Sequence, residues 1–192
     1  MSRGNHRAAA APHGAGRELL EWIVCIAIAV VAALIINKFV VCFIRVEGTS
    51  MVPTLQNGER LLVTPSSYRF RDPQRGEIVI THYPGRSDRY VKRIIGLPGE
   101  TIEVKDGCVW INGVPLAEPY ADVLMTYEME AQIIPEGHYF VMGDNRNHSG
   151  DSHSSGIGPI DKNLILGHAH FVVWPLNQVR KLSQPDVYAS GV

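Results

Sequence analysis

The sequence predicts a mainly β protein: a single N-terminal transmembrane helix followed by an exported, antiparallel β-sheet or barrel-like domain. Three observations predict it. An apolar series, Trp22 to Ile36 (WIVCIAIAVVAALII), runs unbroken near the N-terminus. Beyond it, short apolar segments alternate with Gly, Pro, Asp and Asn breaks, the pattern of short strands. Two of those breaks, Asp106-Gly107 and Asn112-Gly113, lie between alternating segments and are strong hairpin signals.

Residues 1–17 (MSRGNHRAAAAPHGAGR) are rich in Ala and Gly and hold nothing that could form a core, so a disordered cytoplasmic tail is expected. Residues 18–44 are expected to form the membrane anchor, because the apolar character resumes after Asn37 and Lys38 as Phe39 to Ile44. Such a helix would cross a hydrocarbon core of ~30 Å. Glu18, Glu21 and Trp22 suit one interface, and Lys38 can snorkel at the other. A cleaved signal peptide would end its apolar core in small residues, and Ile35-Ile36-Asn37-Lys38-Phe39 offers no such site. A buried soluble helix would need partner helices, which nothing downstream offers. Arg3, Arg7 and Arg17 place the N-terminus in the cytoplasm and the rest outside.

Residues 45–185 are then an extracytoplasmic, β-rich domain. Arg60 to Val63, Glu77 to Ile80 and Tyr90 to Leu97 read as strands. A meander follows from Thr101 to Leu116, and His138 to Met142 and His168 to Trp174 complete the set. Residues 117–134 carry no pattern and are expected to run over the surface; residues 186–192 form a tail.

Composition narrows the function classes. A net charge of −1 provides no basic field for nucleic acid. Three scattered cysteines imply neither a disulfide framework nor a zinc site. Asn145, Asn147, Ser149 and Gly150 mimic the first half of a calcium loop, but its last position falls on Gly156 where a glutamate is required. The histidines show no HExxH or comparable metal spacing. No metal and no cofactor are expected.

Three segments could carry chemistry. Ser50 lies between Gly48 and Pro53, on a bend that is either a simple turn or the seat of an exposed nucleophile. In Tyr90-Val91-Lys92-Arg93-Ile94-Ile95 two cations fall on opposite faces of a strand, so one is expected in an apolar environment and the other in water. A desolvated lysine loses its proton easily and becomes a base. The competing reading is an edge-strand lysine whose amine snorkels to solvent. Lys105, Lys162 and Lys181 all lie in polar or turn-like surroundings. Last, Gly143 to Gly156 is a dense polar loop, either a solvated turn or a set of hydrogen-bonding groups organised around something. A histidine base is not excluded, because proximity cannot be read from sequence.

These segments together resemble bacterial type I signal peptidase, a membrane-anchored Ser-Lys protease, in the compact form without a large inserted second domain. Gly48-Thr49-Ser50-Met51-Val52-Pro53-Thr54-Leu55 is similar to the family's nucleophile box, and Arg75-Gly76-Glu77-Ile78-Val79 to its next box. Tyr90 to Glu100 resembles the general-base box. Gly143-Asp144-Asn145-Arg146, Ser149, Asp151, Ser152 and Gly156 resemble the last. The resemblance implies Ser50 as nucleophile, Lys92 as general base and Ser149 as the group that orients the lysine. It implies a bracing role for Asp144, Arg146, Asp151 and His153, and pockets lined by Met51, Leu55, Tyr90 and Val91. It further implies exported preproteins as substrates, cut after small residues at −1 and −3, at a lipid bilayer in the cell membrane. Two positions depart from the pattern. His153 stands where arginine is usual, so a brace that needs the protonated imidazole would be pH-sensitive. Gly48 lacks the hydroxyl that some members use for the oxyanion. The other readings are a related Ser-Lys protease, such as a self-cleaving repressor, and a non-catalytic tethered β-domain that binds exported peptides.

Overall fold

The computed structural model describes residues 15–39, 41–65, 67–121 and 123–185. The expected N-terminal tail up to residue 14 and the tail at 186–192 lie outside them. The chain divides into two units, residues 1–37 and 38–192. The described residues of the first all lie in helix α1, Ala15–Phe39. Side chains of α1 are described for residues 16–34, and every one of them is exposed. Among the described residues no helix is long and apolar enough to cross a membrane; the part of α1 with described side chains opens with Arg17, Glu18 and Glu21 and ends at Leu34.

The expected helix to residue 44 is corrected by the structure. Helix α1 ends at Phe39, and Cys42–Arg45 is a strand, β1, paired antiparallel with β2 (Arg60–Thr64). Aromatic and β-branched residues fit a pleated surface as readily as a helix, and here the β2 backbone decides.

The second unit is built from antiparallel strands in two sheets. After β1 and β2 come β3 (Ile78–Thr81), β4 (Tyr90–Gly96), β5 (Thr101–Lys105), β6 (Cys108–Ile111) and β7 (Val114–Pro115). The rest are β8 (Met129–Ile133), β9 (His138–Met142), β10 (Ile160–Asp161), β11 (Ile165–Trp174) and β12 (Arg180–Lys181). The large sheet runs β1-β2-β11-β3-β4-β9-β10, with β12 on β11; the small one runs β7-β6-β5-β8. The meander forms as the dipeptides require: Asp106 and Gly107 have φ 54° and 75°, Asn112 and Gly113 51° and 78°. Positive φ at both central residues is the type I′ turn that matches strand twist. Strand β8 lies inside the stretch expected to be unpatterned; it pairs with β5 while showing the burial pattern of an edge, which leaves little alternation to read.

One core, containing Val46, Met51, Leu55, Leu61, Val63, Ile80 and Val172, lies under the first loop. A second, formed by Ile95, Phe140 and Met142 with Ile102, Val104 and Val109, joins the two sheets. Strand β4 is central, between β3 and β9, and that places its side chains at the heart of the domain.

Strand β11 passes close to the end of β2 at Gly167, where a Cβ would lie 2.6 Å from the Thr64 carbonyl oxygen and 2.9 Å from the Pro65 Cα. Backbone atoms cannot swing aside as a side-chain tip can. Gly167→Ala is therefore expected to destabilise the domain by about 1–3 kcal/mol, read as a lower denaturation midpoint. An unchanged midpoint would mean that the strands separate freely here.

Candidate active site

The Ser50 bend is fastened at both ends. Val46 N–H donates to Glu59 O at 2.8 Å and Gly58 N–H to Val46 O at 2.9 Å, which closes the loop between β1 and β2. Gly48 adopts φ 92°, a conformation that favours glycine, and its N–H donates to Asn57 Oδ1 at 3.0 Å. Val52 N–H to Thr49 O (3.1 Å) and Leu55 N–H to Met51 O (2.9 Å) then form the turn that carries Ser50. Met51 and Leu55 are 2% and 0% exposed, so they anchor the bend in the core. Of the four residues expected to line pockets, Met51 and Leu55 are thus almost fully buried and Tyr90 and Val91 are partly exposed.

Neither cation of β4 reaches water: Lys92 and Arg93 are each 2% exposed. The expectation that one would be solvated fails because β4 has neighbours on both sides, and the edge-strand reading of Lys92 fails for the same reason. The two are paired differently. Arg93 donates from Nε to Asp144 Oδ1 at 2.9 Å, from Nη2 to Asp144 Oδ2 at 2.7 Å and from Nη1 to Gly76 O at 2.8 Å. Thr54 Oγ1 donates to the same carboxylate at 2.5 Å. Lys92 Nζ donates to a hydroxyl, Ser149 Oγ, at 2.8 Å. Burial pushes the Lys92 amine below the ordinary lysine value, with partial opposition from Asp151 and Asp144.

Gly143 brings the serine bend to the lysine. A Cβ there would collide with both Ser149 Oγ and the Ser50 carbonyl oxygen. Only glycine lets the Ser50 backbone and the hydroxyl holding Lys92 meet at one point. Asp151, 0% exposed, accepts from Gly143 N–H at 2.9 Å through Oδ2, and its Oδ1 lies 2.5 Å from His153 Nδ1. A neutral imidazole with its proton on Nδ1 can make that bond, so the His153 brace does not require protonation. Arg146 makes a bidentate pair with Glu118 at 2.5 Å for each bond, and its Nε donates to Gly143 O at 3.2 Å.

Several contributors escaped the sequence. Glu118, Tyr120 and Tyr127 all come from the unpatterned stretch. Tyr120 lies under the Arg93 guanidinium at 3.9 Å, and Tyr127 stacks on His153 at 4.3 Å. Tyr83 stacks on Tyr90 at 4.0 Å and donates from its hydroxyl to Gly150 O at 2.8 Å. No local pattern could reveal these long-range contacts. The side chains of two other histidines make no hydrogen bond to Ser50, Lys92 or Ser149 among the described residues. His168 is with Arg71 and Glu77, and burial pushes it down to about 4; His148 is exposed. Among the described residues no group of three or more His, Cys, Asp or Glu could hold a metal ion. A cavity of about 360 Å³ opens beside Thr54, Arg93, Tyr120 and Arg180, and neither Ser50 nor Lys92 lines it.

Chemically, the arrangement offers a hydroxyl on a fixed bend, a desolvated amine whose neutral form is favoured, and a hydroxyl to aim that amine. These are the parts of a nucleophile–base pair.

Comparison with known proteins places the chain in a family. Residues 19–174 match the family described as signal peptidase, peptidase S26. Signal peptidase I of Bacillus licheniformis is 44% identical over 85% of this chain and 92% of its own. Signal peptidase I T of Bacillus subtilis is 42% identical over 84% of this chain and 89% of its own. For signal peptidase I of Leptolyngbya laminosa the figures are 39%, 94% and 92%. A signal peptidase I from Enterococcus faecalis, solved by crystallography, is 34% identical and superposes with a TM-score of 0.46, covering 51% of this chain and 97% of its own.

Asp144→Asn is expected to cost about 3–5 kcal/mol, because it leaves a buried guanidinium facing a neutral amide. Chemical denaturation measures it. A variant within about 0.5 kcal/mol of wild type would mean the pair is not what holds Arg93.

Proposed function

Because this chain belongs to the signal peptidase family, peptidase S26, and is a serine endopeptidase, we propose that it cleaves signal peptides from exported preproteins with Ser50 as nucleophile and Lys92 as general base. The observation that carries this assignment is the hydrogen bond of a 2%-exposed Lys92 to the Ser149 hydroxyl instead of to a carboxylate. A carboxylate would hold the ammonium form; a hydroxyl orients the amine and leaves it free to be neutral.

In the proposed reaction Lys92 takes the Ser50 proton as Oγ attacks the scissile carbonyl. The Ser50 N–H donates to the developing oxyanion. Protonated Lys92 then passes its proton to the leaving amine, which departs as the mature N-terminus. Lys92 next activates a water that releases the signal peptide from Ser50. Asp144, Arg146, Asp151 and His153 keep the loop in place, and no metal or cofactor takes part. Small residues are the proposed requirement at −1 and −3, with Tyr90 and Val91 beside the scissile bond.

Helix α1 is proposed as the membrane anchor. Its 25 residues extend about 37 Å at 1.5 Å per residue, and its described side chains are exposed. The described residues alone do not amount to a span, so the proposal rests on the apolar sequence that continues past Leu34. Anchoring confines enzyme and preprotein to one plane and raises their effective concentration. With Arg3, Arg7 and Arg17 inside, the β-domain faces the extracytoplasmic side.

Cleavage of a purified preprotein by the full-length protein in lipid vesicles tests the assignment. Ser50→Ala and Lys92→Ala are each expected to reduce kcat/KM by about 10³-fold or more; a variant with near-wild-type activity removes its residue from the dyad. The pH dependence has a definite sign. Below its pKa Lys92 is an ammonium and cannot accept a proton, so kcat/KM rises with pH, with a midpoint below the ordinary lysine value of about 10.4. A rise that begins only above that value would contradict a desolvated base.

A further inference from the structure

We propose that Asn145 is the positioning residue for the oxyanion donor, an inference that rests on Ser50 being the nucleophile. Asn145 Nδ2 donates to the Thr49 carbonyl at 3.1 Å, and its own N–H donates to the Ser50 carbonyl at 3.0 Å. One residue therefore holds the two consecutive peptide units that flank the nucleophile. The first unit is decisive. Thr49 C=O and Ser50 N–H belong to the same planar trans amide, so they point in opposite directions. Fixing the carbonyl fixes the N–H.

Thr49 O is held twice, by Asn145 Nδ2 and by Val52 N–H at 3.1 Å. Among the described residues nothing accepts a hydrogen bond from the Ser50 N–H. An amide whose carbonyl accepts two hydrogen bonds while its N–H stays unused is polarised toward donation. That amide can meet an oxyanion without first breaking a bond. Gly48 increases the dependence on it, since a glycine brings no hydroxyl to share the charge and its own N–H is taken by Asn57.

Asn145 is itself held firmly enough to do this. His148 N–H donates to Asn145 O at 3.0 Å, Arg146 Nε holds Gly143 O at 3.2 Å, and Asn147 Oδ1 accepts from Thr126 N–H at 2.9 Å. The side-chain amide thus reaches Thr49 from a backbone that cannot drift. In the attack step Ser50 Oγ bonds to the scissile carbon, its proton passes to Lys92, and the carbonyl electron pair moves to the oxygen that faces the Ser50 N–H. Asn145 touches neither substrate nor proton; it acts through the amide.

The test compares wild type with Asn145→Ala and the near-isosteric Asn145→Asp, which keeps the shape but presents an acceptor to the carbonyl. For each, kcat and KM are measured on a preprotein, together with affinity for two short peptides of one sequence. One ends in an aldehyde, to which Ser50 Oγ can add and generate the oxyanion; the other ends in an uncleavable amide. Both variants are expected to lose about 10–100-fold in kcat, with KM within about twofold. Aldehyde affinity should fall in parallel while amide affinity holds. Equal weakening of both peptides, or an unchanged kcat, would overturn the proposal, since a merely structural brace disturbs both ligands alike. Ser50→Ala runs alongside: if it cleaves, the nucleophile assignment fails; if it is inactive while the Asn145 variants treat both peptides alike, only this inference fails.

Discussion

Two cations sit next to each other on one central strand, both are buried, and the rest of the domain is arranged around that fact. Arginine cannot be neutralised in a protein, so a buried Arg93 demands a carboxylate. It takes Asp144 whole, with Nε on one oxygen and Nη2 on the other. Thr54 donates to the same carboxylate, Gly76 O accepts from Nη1, and the Tyr120 ring lies against the guanidinium. Lysine has the alternative of giving up its proton, and Lys92 is offered a hydroxyl partner. Had the carboxylate been shared the other way, Lys92 would be held as an ammonium and Arg93 left as an uncompensated charge. With the ion pair on one face of β4, burial on the other pushes the Lys92 amine below its ordinary value.

The same pair positions the loop that matters most. Asp144 lies two residues beyond the end of β9, which pairs with β4 in register (Arg93 with Met142), so anchoring Asp144 sets the start of the polar segment. Ser149 then arrives at Lys92, and Asp151 returns to the Gly143 N–H. Burying this many polar groups is tolerable only because nearly all of them are satisfied, the Tyr127 hydroxyl being the exception among the described residues; the outer wall of the network is provided by Glu118, Tyr120 and Tyr127. The stretch that carries those three residues reads as formless because their partners are far away in sequence.

That contrast explains what was legible. Strands β2 to β7 announced themselves through short apolar segments and the turn residues that bound them, which are local properties, and the I′ hairpins at Asp106 and Asn112 are the clearest case. Ser50, Lys92 and Ser149 became candidates through segments that resemble a known family's motifs. The end of α1 did not, because Cys42 to Arg45 is apolar enough for either a helix or a strand and its partner strand makes the choice. The burial of Arg93 was also hidden: alternation assigns a residue to a face, but it cannot say that both faces are covered. The depth of Met51 and Leu55 escaped for the same reason, since a bend reads as surface until the core beneath it is known.

The loop from Gly143 to Ser149 holds both halves of the proposed chemistry. At one end Ser149 aims the base, and four residues earlier Asn145 holds the peptides around the nucleophile. Proton transfer and charge stabilisation must occur together at the transition state, so a single rigid segment that sets both is a physical economy. It is also a vulnerability. Anything that loosens the segment, whether at Asp151, Arg146 or Gly143, displaces base and oxyanion donor at once. The effects of such changes should therefore be strongly non-additive, as for any group of residues that acts as a unit. The departures at Gly48 and His153 fit within this logic: in the proposed reaction one leaves the oxyanion to the Ser50 amide, and the other braces Asp151 through a bond that a neutral imidazole can make.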